Sequence, residues 1–206
     1  MLEFFDKNKP EKRSAGCYQE PTDGFLTGKL LVAAPILNGG YFDHSVICVC
    51  THNEEGAMGL MLTQPLASIQ FKSLLEQMNI STKHLVDHHI VHCGGPVDLS
   101  RGFVLHSTDV MHEESLLITD DLGVTSTLFM LEDIANGKGP KHIFFSLGYA
   151  GWDANQLEDE LKANSWLTTD PTRDLLFHSN SSQKWDLALH DIGITPHQLA
   201  GFSGSA

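Results

Sequence analysis

Lys141–Glu160 reads KHIFFSLGYAGWDANQLEDE, and the fold class turns on how these residues divide into elements. Ile143-Phe144-Phe145 is an apolar run with the length of a buried strand, far short of the roughly 20 apolar residues a membrane-spanning helix needs. Gly148 and Gly151 bracket Tyr149-Ala150, with Trp152 next, and this spacing predicts a turn in which glycine takes backbone angles closed to other residues. Asp153 with Gln156 three positions on predicts a helix start, the Asp accepting from free N–H groups and the Gln reaching back. Leu157 and Leu161 then form an inward stripe, and Glu158, Asp159 and Lys162 an outward one. The stretch therefore predicts strand, glycine–aromatic turn and capped helix.

Working outward toward the N-terminus, residues 1–24 mix Lys, Glu, Pro, Ser and Gly without periodicity and read as a flexible extension. Leu26–Ala34, Phe42–His52 and Ala57–Thr63 read as strands, the last two joined as a hairpin over Asn53-Glu54-Glu55-Gly56 and stopped by Pro65. Apolar residues at 71, 74, 75 and 78 predict a helix over Ile69–Met78 with Ser68 as its cap. His88–Cys93 reads as a strand broken by Gly94-Gly95-Pro96. Arg101–Ser107 and Ser115–Thr119 read as two more strands. A helix is expected from near Thr125, with Leu128, Leu131 and Ile134 inward and Gly137 at its end. Toward the C-terminus, Leu175-Leu176-Phe177 reads as a short strand. Ser182 starts a helix that buries Trp185, Ala188 and Leu189 and ends at Gly193, and Thr195-Pro196 opens one further turn. There is no repeat and no interdomain linker, so residues 25–206 read as a single domain. Hairpin-like strands mixed with helices favour α+β over a doubly wound parallel sheet.

The charge balance argues against one class of function. Thirteen basic against 26 acidic side chains give a formal charge of −13, whereas nucleic-acid affinity rests on Lys and Arg neutralising phosphates. Direct nucleic-acid binding is therefore not expected. The N-terminal residues contain no apolar run of the kind a secretory signal uses. The four cysteines, Cys17, Cys48, Cys50 and Cys93, show no disulfide framework, so a reducing cytoplasm is the expected location, with no membrane association.

Several groups of side chains have the residue types that chemistry needs. His88, His89, His92 and Cys93 cluster, but on a strand His88 and His92 take one face while His89 and Cys93 take the other. Cys48, Cys50 and His52 share a strand face, a more workable metal arrangement, yet buried cysteine commonly acts as a small hydrophobe. No metal and no cofactor is expected. Ser146 lacks the flanking glycines of a nucleophile elbow. Cys93 beside Gly94-Gly95 has the outline of a thiol nucleophile without any further catalytic signature. Neither phosphate-loop pattern is present, and the negative Asp153 competes with any anion at the Gly148–Gly151 turn.

Five pieces taken together carry a resemblance. They are Leu31–Pro35 (LVAAP), Phe42–Val46 (FDHSV), His52–Leu60 (HNEEGAMGL), Cys93–Val97 (CGGPV) with Arg101–His106 (RGFVLH), and Leu147–Trp152 (LGYAGW) running on to Gln156-Leu157-Glu158-x-Glu160. Their order and spacing resemble the AlgH/YqgE family of bacterial proteins over roughly residues 26–204. Thr63-Gln64-Pro65 departs from the family's usual Asn-x-Pro, and Asp153-Ala154-Asn155 from its usual glycine before the Gln. The resemblance implies a bifurcated, mostly antiparallel sheet with a small barrel-like portion surrounded by helices. It also brings a transcriptional-regulator label, with no assigned catalytic residues. The expected function is a non-enzymatic regulatory or binding protein acting through a protein partner or a small ligand. The alternative is an enzyme or ligand-binding site near the glycine–aromatic turn, built from Gly94, Gly95, Arg101, His106, Tyr149, Trp152 and Gln156.

Overall fold

The computed structural model describes residues 24–82, 86 and 89–194. The N-terminal extension, Cys17, His88 and the expected turn at Thr195-Pro196 lie outside the described residues. In chain order the elements are β1 (Leu30–Ala33), β2 (Val46–Asn53), β3 (Gly56–Met61), β4 (Pro65–Gln70), α1 (Phe71–Gln77), β5 (Ile90–Cys93), β6 (Val97–Ser107), β7 (Leu116–Thr119), β8 (Leu122–Thr125), α2 (Leu128–Ala135), β9 (Ile143–Asp153), α3 (Gln156–Lys162), β10 (Trp166–Thr169) and α4 (Lys184–Asp191). The class is α+β with mostly antiparallel strands. Residues 65–149 form one compact unit, and 24–64 with 150–194 form another.

In the first unit β9 is central. It pairs antiparallel with β6 and parallel with β5, while β6 continues to β8 and β7, and β4 pairs with β5. Phe145 and Leu147, two residues apart on one face of β9, join Val91 and Val104 under α1 and α2. Helix α1 contributes Phe71, Leu74 and Leu75, and α2 contributes Met130, Leu131 and Ile134. The Phe71 ring meets Phe145 edge-on at 5.0 Å. Full burial of one such side chain contributes about 1.5–3 kcal/mol.

The second unit runs β10–β1–β2–β3 and ends on the Ala150–Asp153 portion of β9, all antiparallel. Every residue of β1 is buried, as are Val46–Cys50 of β2, which is why these strands read as unbroken apolar runs rather than alternating ones. Helix α4 covers this sheet with Trp185, Ala188 and Leu189. The Trp185 indole N–H donates to the Ala33 carbonyl at 2.9 Å.

Several expectations need correction. The Gly-Tyr-Ala-Gly-Trp segment is strand, not turn: β9 runs unbroken to Asp153. Gly148 does take the left-handed conformation expected of it, at φ +72°, but inside the strand. Opposite it, β6 carries three extra residues between Val97 and Gly102, a bulge that needs a compensating irregularity. Asp153 is not the helix cap. Left-handed Asn155 precedes α3 without a capping bond, although Gln156 Oε1 does reach back to accept from Asp153 N at 3.0 Å. Ser68 lies within β4, and Gln70 precedes α1. The strand that Pro65 was expected to stop does end before it, at Met61, and Pro65 itself opens β4; β8 occupies the place of the expected helix start, and β10 was not anticipated. Leu175–Phe177 forms part of a single π-turn, Asp174–His178.

Candidate functional site

Of the seven residues singled out from sequence, five belong to the first unit. Gly94 is buried against β9: a Cβ there would lie 2.2 Å from the Gly148 carbonyl oxygen and 2.8 Å from Ser146 Oγ. Its N–H donates to Leu147 O at 2.8 Å. Gly94 therefore permits close strand packing and is not an anion cradle. Gly95 is also buried, at φ +153°. Arg101 is exposed, donates to Ser126 Oγ at 3.2 Å and lies 5.2 Å from the centre of the Phe103 ring. Tyr149 packs edge-on against Phe103 as well. Unbroken alternation would put Tyr149 on the face of Phe145 and Leu147, and the left-handed Gly148 between them reverses its side.

His106 lies three residues beyond Phe103 on the same strand and so faces the other way from Arg101, fully buried. Its Nδ1–H donates to Ser107 O at 2.9 Å, so Nε2 accepts from the Thr125 hydroxyl at 2.8 Å. Thr125 in turn accepts from the Ser115 hydroxyl at 2.6 Å. Burial pushes the His106 pKa below its ordinary value, which keeps the ring neutral and this line of bonds intact. The expected meeting of Arg101 and His106 in one pocket does not occur.

Trp152 and Gln156 belong to the second unit and meet there on Glu160. The Trp152 and Trp166 indole N–H groups both donate to Glu160 Oε2, at 2.9 and 2.7 Å. The Gln156 amide donates to Oε1 at 2.9 Å. This carboxylate holds α3 to the end of β9 and to β10. His52 is also fully engaged: Nδ1 accepts from Leu26 N at 3.0 Å and Nε2 donates to Glu158 Oε1 at 3.1 Å. With both ring nitrogens taken, it has none left to bind a metal or to act as a base. The predicted shared face of Cys48, Cys50 and His52 is interrupted by a bulge between Val49 and Thr51. Both thiols are buried, and the hydrogen bond with Cys48, followed by burial, pushes the Cys50 thiol well up. No cluster of metal-binding side chains occurs among the described residues. Ser146 is fully buried with its hydroxyl unpaired, and the buried Cys93 thiol turns to Gly95 O. Neither is placed as a nucleophile.

One of the five motif pieces remains. Phe42-Asp43-His44-Ser45-Val46 borders a cleft of about 330 Å³ in the second unit. Successive turns over Leu37–Ser45 build its rim, with Gly40 N donating to Leu37 O, Asp43 N to Gly40 O and Ser45 N to Phe42 O. The rim presents Tyr41, Asp43 and His44. Strand β3 and the segment after it supply Met61, Thr63 and Gln64, the short turn Ser181–Gln183 supplies Ser181 and Ser182, and the start of α4 supplies Trp185 and Asp186. His44 sits at φ +52°, a conformation rare for a residue with a Cβ and one that marks functional segments. Its ring lies 4.2 Å from that of Trp185. The Asp43 carboxyl is held below its ordinary pKa, first by the Gly39 backbone N–H and then by His44. Asn180 accepts from the Ser182 N–H and hydroxyl, at 3.2 and 3.1 Å. The cleft thus offers hydroxyls, an amide and two carboxylates against aromatic walls.

None of the seven residues chosen from sequence lines this cleft. The only signal for it was the Phe42–Val46 motif itself, because the positive φ of His44 and the arrival of α4 are invisible in a linear pattern.

A family model described as AlgH-like matches residues 30–197. A UPF0301 protein of Bradyrhizobium sp. is 46% identical over 191 residues, covering 89% of this chain and 88% of the relative. A UPF0301 protein of Jannaschia sp. is 44% identical over 183 residues, covering 88% and 95%. The solution structure of the AlgH protein from Pseudomonas aeruginosa matches at a TM-score of 0.73 and 33% identity, covering 93% of this chain and 98% of that one. Protein DIP2367 from Corynebacterium diphtheriae, 19% identical with a TM-score of 0.65 over 87% and 92% of the two chains, shares the fold.

Proposed function

This chain belongs to the AlgH-like family, and on that footing we propose that it is a non-enzymatic cytoplasmic binding protein whose ligand site is the cleft beside His44. One contrast carries the reading. His52, His106 and Glu160 of the other motifs are spent on internal bonds, whereas Asp43 and His44, bonded to each other, open onto a cavity beside Trp185. Buried, internally paired groups hold a fold together, while convergent polar groups in a concave, partly aromatic site recognise a ligand. Any part in transcription runs through that ligand or a protein partner, since a chain of charge −13 repels phosphate backbones. No helix among the described residues is long and apolar enough to cross a membrane.

The test is to isolate the protein from its own cytoplasm and extract co-purifying small molecules, beside a variant carrying Ser182→Trp at the cleft wall. A compound retained by the parent and lost from the variant is expected. Equal retention, or none in either, sinks the cleft reading. Sub-micromolar binding to duplex DNA at physiological salt overturns the indirect mode.

A second reading, as a hydrolase, draws on the Ser115–Thr125–His106 line, in which a part-exposed serine hydroxyl donates toward a neutral imidazole through one threonine. Labelling by a fluorophosphonate that Ser115→Ala abolishes would favour it, and absence of labelling removes it.

A further inference from the structure

We infer that the cleft beside His44 selects a small organic cation, an amidinium, guanidinium or primary ammonium carried on a flat or apolar body. The inference rests on the binding reading above and adds the chemical class of the ligand.

Charge points first in that direction. Asp43 and Asp186 line the cleft, and among the described residues no Lys or Arg does. Asp43 accepts from the Gly39 backbone N–H and from His44, and Asp186 lies in the first turn of α4, where the helix dipole favours a negative charge. The Asp186 carboxylate bonds to no other described residue, so it has acceptor capacity to give a ligand. An anion entering the cleft would meet both carboxylates, with only the His44 imidazole, already bonded to Asp43, beside them, whereas an amidinium N–H matches a carboxylate oxygen with a charge-assisted bond.

The walls add a second, independent preference. Tyr41 and Trp185 border the space, and aromatic faces attract organic cations through their quadrupole. Trp185 is 8% exposed and tied at its indole N–H to Ala33 O, so the wall is set before a ligand arrives, and little side-chain freedom is lost on binding. The hydroxyls of Thr63 and Ser182 and the Gln64 amide supply neutral acceptors around the same space. At about 330 Å³ the cleft lies at the small end of ligand sites. It suits a compact organic ion rather than a bare metal, for which the described residues offer no ligand cluster.

The experiment uses the full chain and three probes of one shape and different charge: benzamidinium, benzamide and benzoate. Binding is followed by calorimetry and by the movement of backbone amide resonances in ¹H–¹⁵N spectra. Benzamidinium is expected to bind at least tenfold more tightly than benzamide and to move the resonances of Asp43, His44, Ser182 and Asp186. Asp186→Asn should weaken it about tenfold while leaving benzamide unchanged, and added salt should weaken the parent more than the variant. Benzamide or benzoate binding as tightly as benzamidinium, with the same resonances moving, overturns the cation preference and leaves the binding reading standing. If no cleft resonance moves with any of the three probes, both fail.

Discussion

At Gly148 the chain takes a left-handed conformation inside a strand, hemmed in by its neighbours. A Cβ there would lie 2.8 Å from both the Gly95 and Val97 carbonyl oxygens and 3.0 Å from a Leu99 methyl. Gly148→Val therefore meets backbone strain and steric overlap together, and should lower stability by about 1–3 kcal/mol. A melting temperature equal to the parent's would refute the assignment. Lys184 is the opposite kind of residue, a charge placed inside. It is 2% exposed and donates to the Leu175 and Leu176 carbonyls of the π-turn. Burial lowers its pKa from 10.5 to about 8. Between those values the unfolded chain holds a proton that the folded one has released, so unfolding free energy rises with pH across this window, by about 3 kcal/mol in full. Below pH 8 the folded state carries the whole cost of the buried charge. Denaturant titrations from pH 7.5 to 10.5 should show this rise in the parent and its loss in Lys184→Met. Parallel curves for the two proteins would show that the lysine is not the cause.

Among the elements, β6 and β8 have the most to lose from one small change. Thr125, on β8, bridges Ser115 and the buried His106 of β6. Thr125→Val keeps the shape but leaves Nε2 of His106 with no donor in a site that excludes water. A loss of about 1–3 kcal/mol is expected from the unpaired nitrogen. Chemical denaturation measures it, and a change under about 0.5 kcal/mol would mean that the imidazole finds another partner. Acid should act through the same ring. With the folded pKa of His106 below its ordinary value, its contribution to stability is complete above that value and falls away as pH drops through the folded pKa. α3 shows how an element can be secured without a cap. No side chain caps its first turn, yet Glu160, near its end, takes two indole N–H groups and the Gln156 amide.

For the whole molecule, a charge of −13 means self-repulsion in the compact state, and salt that screens it should raise the melting temperature. Scans between 10 and about 300 mM sodium chloride, where the Debye length falls from ~30 Å to a few ångströms, test this. A flat or falling trend would show that local ion pairs outweigh the global field. Periodicity was legible in the sequence. Phe71, Leu74 and Leu75 face the core as their spacing requires, Trp185, Ala188 and Leu189 do the same in α4, and the β2–β3 hairpin forms over its polar loop. These succeed because burial selects side chains at the repeat of the element that carries them. What failed depended on distant partners. Gly-Tyr-Ala-Gly-Trp has the composition of a turn, and only the pairing of β9 with β6 and β3 holds it extended. His106 and Arg101 looked like neighbours in a site, but the pleat of β6 sends them to opposite faces. The cleft was least legible of all. It needs a residue with a Cβ at positive φ, a rim of consecutive turns, and a helix whose indole reaches a carbonyl 152 residues away. By itself the sequence determined the α+β class and the core faces, which follow from local composition and repeat, and the family, which follows from the order and spacing of its motifs. The tertiary structure alone decided which motif residues are locked into the fold and which line a cleft, because that depends on contacts between segments far apart in the chain.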